Sequence, residues 1–391
     1  MAEPLPLLII DSHPIQYKAP VYRRLGESYP GQVFVLYGCD ASVRGQLADP
    51  GFGQTLAWGA QLLEGYPHAF LKAGEEVSLG RFNALKGEGV ARWIRKRKPQ
   101  NVLLSQCNYQ MDFRAILAAK RSGAKLWIRH ETQDEAFSRG PLKTCLRALY
   151  YRFLYKVIDG AFACGKANRR HLRKHGMAAE RIGHAPYCVP DRIRAMSRAK
   201  KEACRASLRT KWKVSPETKV LLFSGKFIPK KNPTLIAEAL KLFSAKEKQD
   251  WLVVFVGSGP LAGDLKAMCQ QHGIRAEFTG FVDQADLPAH YLAADIMVLP
   301  SRRMGETWGL VVNEALQAGC AVAVSDAVGS HEEFGAWERV ALFGNEDTAG
   351  LKEALGQLAR YRRDFDWARP GIEAYSVDAA AAGIAERIFP D

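Results

Sequence analysis

VLLFSGK, Val220 to Lys226, is an unbroken apolar run that ends in a Ser-Gly-Lys turn. Consecutive apolar residues bounded by a turn signal describe a strand buried on both faces, as parallel sheets require. The signature recurs at Leu252–Val256, Ile296–Leu299 and Ala321–Val324, and earlier at Leu7–Ile10, Val33–Leu36, Val102–Leu104 and Leu126–Ile128, with longer helical-looking stretches between. That rhythm is βαβ. It is interrupted once, at Ala185-Pro186-Tyr187-Cys188-Val189-Pro190, where the prolines force extended backbone. The sequence therefore predicts two α/β domains, residues 1–190 and 191–370, each a doubly wound, Rossmann-like parallel sheet. The hinge falls near 186–191, and 371–391 reads as a last helix free to pack back on the first domain.

At 391 residues the chain exceeds a single ordinary core, and 47% hydrophobic with 25% charged residues is an ordinary globular composition. Disordered, collagenous and coiled-coil classes are excluded. No apolar stretch approaches the ~18 residues of a membrane span, so a cytoplasmic chain is expected. The eight cysteines contain no C-x-x-C pair, which argues against a disulfide framework or a zinc ribbon. The net charge of +14 is uneven: residues 1–213 hold 37 Lys+Arg against 17 Asp+Glu, and residues 214–391 hold 18 against 24. Clusters such as Arg95–Lys98 fit an anionic partner. Nucleic acid is disfavoured, because no recognition motif accompanies the charge. An anionic membrane surface fits better, with the protein peripheral at its inner face. Pro141–Asp159 places Leu142, Leu146, Leu149, Phe153 and Val157 on one helical stripe among cations, a pattern expected to face the core.

Ligands of doubly wound sheets bind beyond the carboxyl ends of the strands. The residues there are Asp11-Ser12-His13-Pro14-Ile15-Gln16-Tyr17, Arg129-His130-Glu131, Ser224-Gly225-Lys226 and Gly257-Ser258-Gly259-Pro260. No G-x-G-x-x-G follows the first strand and no P-loop occurs, so nicotinamide, flavin and P-loop nucleotide chemistry lack support. In the second half three features converge on a nucleoside diphosphate. Lys226 and Lys231 lie five residues apart in a Gly/Pro-rich turn and suit a diphosphate. Gly257 and Gly259 allow close backbone approach. Gly305–Ala315 reads as a loop entering a helix, whose free N–H groups suit phosphate, and Glu314 lies inside an otherwise apolar helix, where a carboxylate needs a hydrogen-bonded partner.

Glu306 and Glu314, with seven residues between them, together with the Gly225-Lys226…Lys231 turn, Gly257–Pro260, Phe278–Val282 and Ser325–Gly329 in that order, resemble the retaining GT-B glycosyltransferases of family GT4. The resemblance is strong over about 218–334 and loose elsewhere. It implies two Rossmann-like domains facing across a cleft and transfer of a sugar, with retention, from a nucleotide diphosphate to a saccharide or lipid-linked acceptor. A UDP-sugar is expected ahead of a GDP-sugar, with no cofactor and no metal. Position by position, the resemblance implies that Glu314 binds the ribose and Glu306 the sugar. Lys226 and Lys231 would neutralise the diphosphate with N–H groups of Thr307, Trp308 and Gly309. Gly225, Gly257 and Gly259 would border the donor, and Gly280, Phe281 and Val282 would hold the base. His130 would reach the reacting carbon, and Asp11, Ser12, His13 and Tyr17 would line the acceptor side. Lys226 stands where the family has arginine, a point charge without a bidentate fork.

Two metal-like patterns are read as structural. His171 and His175 have helical i,i+4 spacing but lie among cations near a helix end, and Asp364-Phe365-Asp366 follows a basic helical stretch rather than a strand. The rival readings are a nucleotide-sugar epimerase of the same fold and a non-catalytic basic protein that binds nucleic acid or a membrane surface.

Overall fold

The computed structural model describes residues 4–45, 47–49, 54–56, 60–75 and 77–390. Its strands are β1 (Leu7–Asp11), β2 (Val33–Cys39), β3 (Leu47–Asp49), β4 (Gln54–Leu56), β5 (His68–Lys72), β6 (Asn101–Leu104), β7 (Lys125–Ile128), β8 (Gly160–Ala163) and β9 (Ile182–His184) in the first half. The second half holds β10 (Lys219–Ser224), β11 (Trp251–Val256), β12 (Ala276–Gly280), β13 (Ile296–Leu299), β14 (Ala321–Ser325) and β15 (Val340–Phe343). The first sheet has the order β5-β2-β1-β6-β7-β8-β9 and the second β12-β11-β10-β13-β14-β15. All pairings within both sheets are parallel. β3 and β4 form a separate antiparallel pair. In each large sheet the order turns back at its first strand. The crevices between β1 and β6 and between β10 and β13 are thus the two switch points.

All eight apolar runs are strands, and each sheet is sandwiched between two apolar layers. Five further strands of the two large sheets were not anticipated, nor were β3 and β4. β5, β9, β12 and β15 lie at sheet edges, where half of the backbone pairing is absent and fewer side chains need be apolar. β8 is Gly160-Ala161-Phe162-Ala163, whose small residues give no long run, and a Cβ on Gly160 would lie 2.3 Å from the Trp127 ring.

The segment 185–191 is neither helix nor strand. Arg129, at the end of β7, holds it by donating to the carbonyls of Ala185 at 3.1 Å and Pro186 at 2.7 Å. Helix Val377–Ile388 returns to the first domain: Ala380, Ile384 and Ile388 share a core with Leu7, Ile9, Val21 and Phe162. Part of the basic charge is structural. Arg205 and Arg209 both pair with Asp295, and Arg170 joins Glu135 to Glu332 across the domains.

The helix Pro141–Val157 corrects the expectation of a core-facing stripe. Only Leu154 and Tyr155 are buried, while Leu142, Leu146, Leu149, Phe153 and Val157 are exposed. The sheet face beneath is already covered by neighbouring helices, and the helix turns its narrow Leu154–Tyr155 edge inward.

Candidate nucleotide-sugar site

The centre of the site lies at the end of β13 and in the turn after β10. Glu306 is buried and accepts an ion pair from Lys231 Nζ at 2.6 Å. Ser301 Oγ donates to the same carboxylate oxygen at 3.3 Å. Lys230 Nζ donates to the Gly305 carbonyl at 2.8 Å. Burial alone would raise the Glu306 pKa, but Lys231 and Lys230 hold it below the usual carboxylate range. Burial lowers that of Lys230, which also faces Glu306, Lys231, Lys226 and Glu131. Lys231 and Lys230 therefore gather around one glutamate, with Lys226 beside Lys230. Lys230 was not singled out from the sequence, and its place beside Lys231 in the same turn was the available signal.

Glu314 lies on helix Val311–Gln317 and accepts from Tyr291 Oη at 2.7 Å. Burial pushes its pKa up to about 7, against the opposing effects of Tyr291, Arg192 and Lys231. Tyr17 of the first domain lines the same crevice as Glu314, with Gln16, Arg192 and Gln284. Burial, then Glu314, raises the Tyr17 pKa, with a smaller contribution from Glu306. The loop after β1 thus reaches the second domain's glutamates, which no sequence pattern could reveal. Tyr291 and Arg192 likewise carried no motif.

Before this helix the N–H groups of Thr307, Trp308, Gly309 and Leu310 make no backbone hydrogen bond among the described residues. Gly305 and Gly309 adopt φ of +97° and +87°. They turn the chain so that these donors follow Glu306 directly. The donor-binding expectation at Trp308 concerns its backbone N–H, and its side chain is used elsewhere. It is buried, donates from Nε1 to Asn313 Oδ1 at 2.8 Å, and packs on Tyr187, Phe334 and Tyr375. Only its backbone remains available to a ligand.

Gly225, Gly257 and Gly259 hold the neighbouring loops against each other. A Cβ on Gly257 would lie 2.0 Å from the Gly225 carbonyl oxygen, and one on Gly259 would lie 2.6 Å from that of Phe227. Gly257 N–H donates to the Gly280 carbonyl at 2.8 Å, which brings the Gly280–Val282 turn alongside. Phe281 is exposed there, and Val282 packs on the core. The glycines are required by loop packing before any ligand is considered.

The first-domain residues separate into two groups. Asp11 does not face an acceptor. It is fully buried and accepts from Tyr22 Oη at 2.8 Å, Ser12 N at 2.8 Å, Ser105 Oγ and Lys18 Nζ, tying β1 to its helix and to β6. Ser12 is buried and its Oγ bonds His13 Nδ1 at 2.9 Å. Burial pushes His13 down to about 4. Of the four acceptor-side residues, His13 and Tyr17 keep accessible surface.

His130 is buried, and its Nε2 lies 3.0 Å from Tyr155 Oη. Tyr155 Oη is 2.9 Å from His171 Nε2, and His171 Nδ1 is 2.9 Å from Asp134. Burial lowers the His171 pKa and pushes that of His130 to about 3, so both rings are neutral at pH 7. The Asp134 carboxylate can only accept, which places the His171 proton on Nδ1. Tyr155 then donates to His171, and His130 donates from Nε2 to Tyr155. His130 Nδ1 is left as an acceptor.

The two metal-like patterns resolve into side-chain pairing. Asp134, His171 and His175 have ligand atoms within 4.8 Å of one another. Asp134 is the partner that the sequence did not point to, and it is also held by Arg147 and Lys174. Asp366 pairs with Lys201 at 2.8 Å, Asp364 lies 3.9 Å from Arg339, and Phe365 between them is buried.

Residues 205–363 match the family model described as glycosyl transferases group 1. Over these residues the chain is similar to that family. Among relatives of this group 1 domain, an uncharacterized glycosyltransferase of Methanocaldococcus jannaschii is 33% identical over 32% of this chain and 33% of its own length. A GDP-mannose-dependent alpha-(1-6)-phosphatidylinositol monomannoside mannosyltransferase of Mycobacterium tuberculosis is 31% identical over 33% of this chain and 35% of its own. The matches thus span about a third of these curated relatives. The structure of Anabaena HepE in complex with UDP aligns over 97% of this chain and 98% of its own, at TM-score 0.70 and 17% identity. WaaG, a glycosyltransferase involved in lipopolysaccharide biosynthesis, aligns over 98% and 100% at TM-score 0.66 and 14% identity. The likeness shows the fold, the two-domain GT-B architecture.

Proposed function

We propose that the chain is a retaining glycosyltransferase that moves a sugar from a nucleotide diphosphate to a saccharide acceptor carried on a lipid at the inner face of a membrane. The observation that carries this reading is the convergence of Glu306, Glu314, three lysines and a run of unpaired N–H groups at one switch point, opposite Tyr17 of the other domain. A carboxylate such as Glu314 accepts from paired ribose hydroxyls. Lys226, Lys230 and Lys231, with the N–H groups of Thr307–Leu310, stabilise charge as it develops on the departing diphosphate. Glu306, oriented by Lys231 and Ser301, accepts from hydroxyls of the transferred sugar. His130 Nδ1 offers one further acceptor from the first domain. Retention follows from front-face attack, in which the departing phosphate takes the acceptor's proton. The lysines supply the neutralising charge, so no divalent ion is required.

The names of similar proteins support both halves of the reading. HepE is described with UDP and with UDP-glucose, and the Mycobacterium relative is named for GDP-mannose and a phosphatidylinositol mannoside. A UDP-sugar is the first donor to test. Calorimetry with UDP, GDP, ADP and dTDP, followed by turnover of the matching nucleotide-sugars, tests the proposal. Saturable heat from UDP that is lost on Glu314→Ala is expected. No heat from any of the four would refute it, and epimerisation of the donor without acceptor would favour the rival enzyme.

A further inference from the structure

The outer face of the first domain carries an apolar stripe with no partner among the described residues. On helix Pro141–Val157, Leu142 is 72%, Leu146 59% and Phe153 61% exposed, and Leu149, Tyr150 and Val157 complete the row. At ~1.5 Å per residue the row is roughly 22 Å long. Lys143, Arg152 and Lys156 are exposed beside it. Helices Val90–Arg97 and Gln110–Ser122 pack on the same sheet face, and the groove between them is lined by Arg92, Arg95, Arg114 and Arg121, with exposed Leu117 and a single acid, Glu88. The stripe starts at the cleft rim: five residues before Leu142, Phe137 packs against Gly305 of the second domain.

We infer that this face docks on an anionic membrane surface, with the helix lying in the interfacial plane and the arginine groove beside it taking lipid phosphates. Charge decides between occupants. A second copy docked by two-fold symmetry would bring one row of Lys143, Arg152 and Lys156 against the other. An anionic bilayer neutralises them and takes the leucines and Phe153 into its boundary region. Among the described residues no helix is long and apolar enough to cross a membrane, so attachment would be through this surface. The basic turn Arg95–Lys98 is a weaker probe than its charge suggests, because the Arg97 guanidinium lies 4.2 Å from the centre of the Phe34 ring.

The inference rests on the proposed activity only for its purpose; binding is measured without donor or acceptor, so the two fail separately. Full-length protein is sedimented with vesicles of phosphatidylcholine containing a third phosphatidylserine, and with phosphatidylcholine alone. Binding to the anionic vesicles only, weakened by salt, is expected. Leu146→Glu with Phe153→Glu should lower it at least tenfold, and Lys143→Glu with Arg152→Glu and Lys156→Glu should abolish its salt dependence. All five positions are exposed, so circular dichroism and nucleotide binding should stay unchanged and certify the fold. Wild-type protein that stays in the supernatant, or variants that bind like wild type, overturn the inference. So does a solution dimer dissolved by Leu146→Glu.

Discussion

Replacing Glu314 by glutamine isolates the buried carboxylate. Its pKa is about 7 in the folded chain against an ordinary 4.5, and at ~1.36 kcal/mol per pH unit that displacement corresponds to roughly 3 kcal/mol. The sign follows from linkage. The folded state holds the proton more tightly than the unfolded state, so ionising Glu314 destabilises the fold fully above pH 7 and not at all below about 4.5. Glutamine keeps the acceptor for Tyr291 Oη and carries no charge. In urea unfolding at pH 8, Glu314→Gln should exceed the parent by ~3 kcal/mol, and the advantage should shrink towards zero as pH falls through 7 to 4.5. Ribose hydroxyls favour the ionised form, so nucleotide affinity of the parent should fall roughly fivefold from pH 7 to pH 6 while the variant binds weakly and without pH dependence. A stability advantage equal at pH 5 and pH 8, or a parent more stable at pH 8, would refute the argument.

Lys231→Met leaves Glu306 buried without its closest cation. A loss of ~3–5 kcal/mol at pH 8 is expected in chemical denaturation. Because the parent's lowered Glu306 pKa contributes stability only above the ordinary carboxylate range, the gap should narrow as pH falls below about 4.5. Gly257→Ala places a Cβ against the Gly225 carbonyl at a φ of +131°. It should cost about 2 kcal/mol and weaken nucleotide binding, read by denaturation and calorimetry. Trp308→Phe leaves Asn313 Oδ1 unpaired and should cost ~1–3 kcal/mol with nucleotide affinity unchanged. Turnover of the nucleotide-sugar should be the same in excess EDTA as without it; loss of activity restored by a divalent ion would overturn the role given to the lysines.

Much of the fold was legible because parallel strands buried on both faces must be apolar along their whole length, and Val220–Phe223 or Leu7–Ile10 serve no other purpose so well. Edge strands such as β9 and β15 carry no such obligation and left no comparable mark. Within the candidate site, Lys226, Lys231, Glu306 and the glycines were singled out from turns, and Glu314 from its place in an otherwise apolar helix. The ion pair between Lys231 and Glu306, far apart in sequence, was not anticipated by any local rule.

The sequence by itself determined the two α/β halves and the Gly/Pro-bearing turns that follow their strands, because period, run length and Gly/Pro placement act over a few residues. Only the tertiary structure decided which polar groups are already satisfied. It drew Asp11 into a knot with Tyr22, Ser105 and Lys18, sank the Trp308 ring into the core, linked His130 to Asp134 through Tyr155 and His171, and brought Tyr17 to Glu314. It also turned the 141–157 stripe outward, since amphipathic spacing states that a helix has an apolar side and only the packing of its neighbours states where that side points.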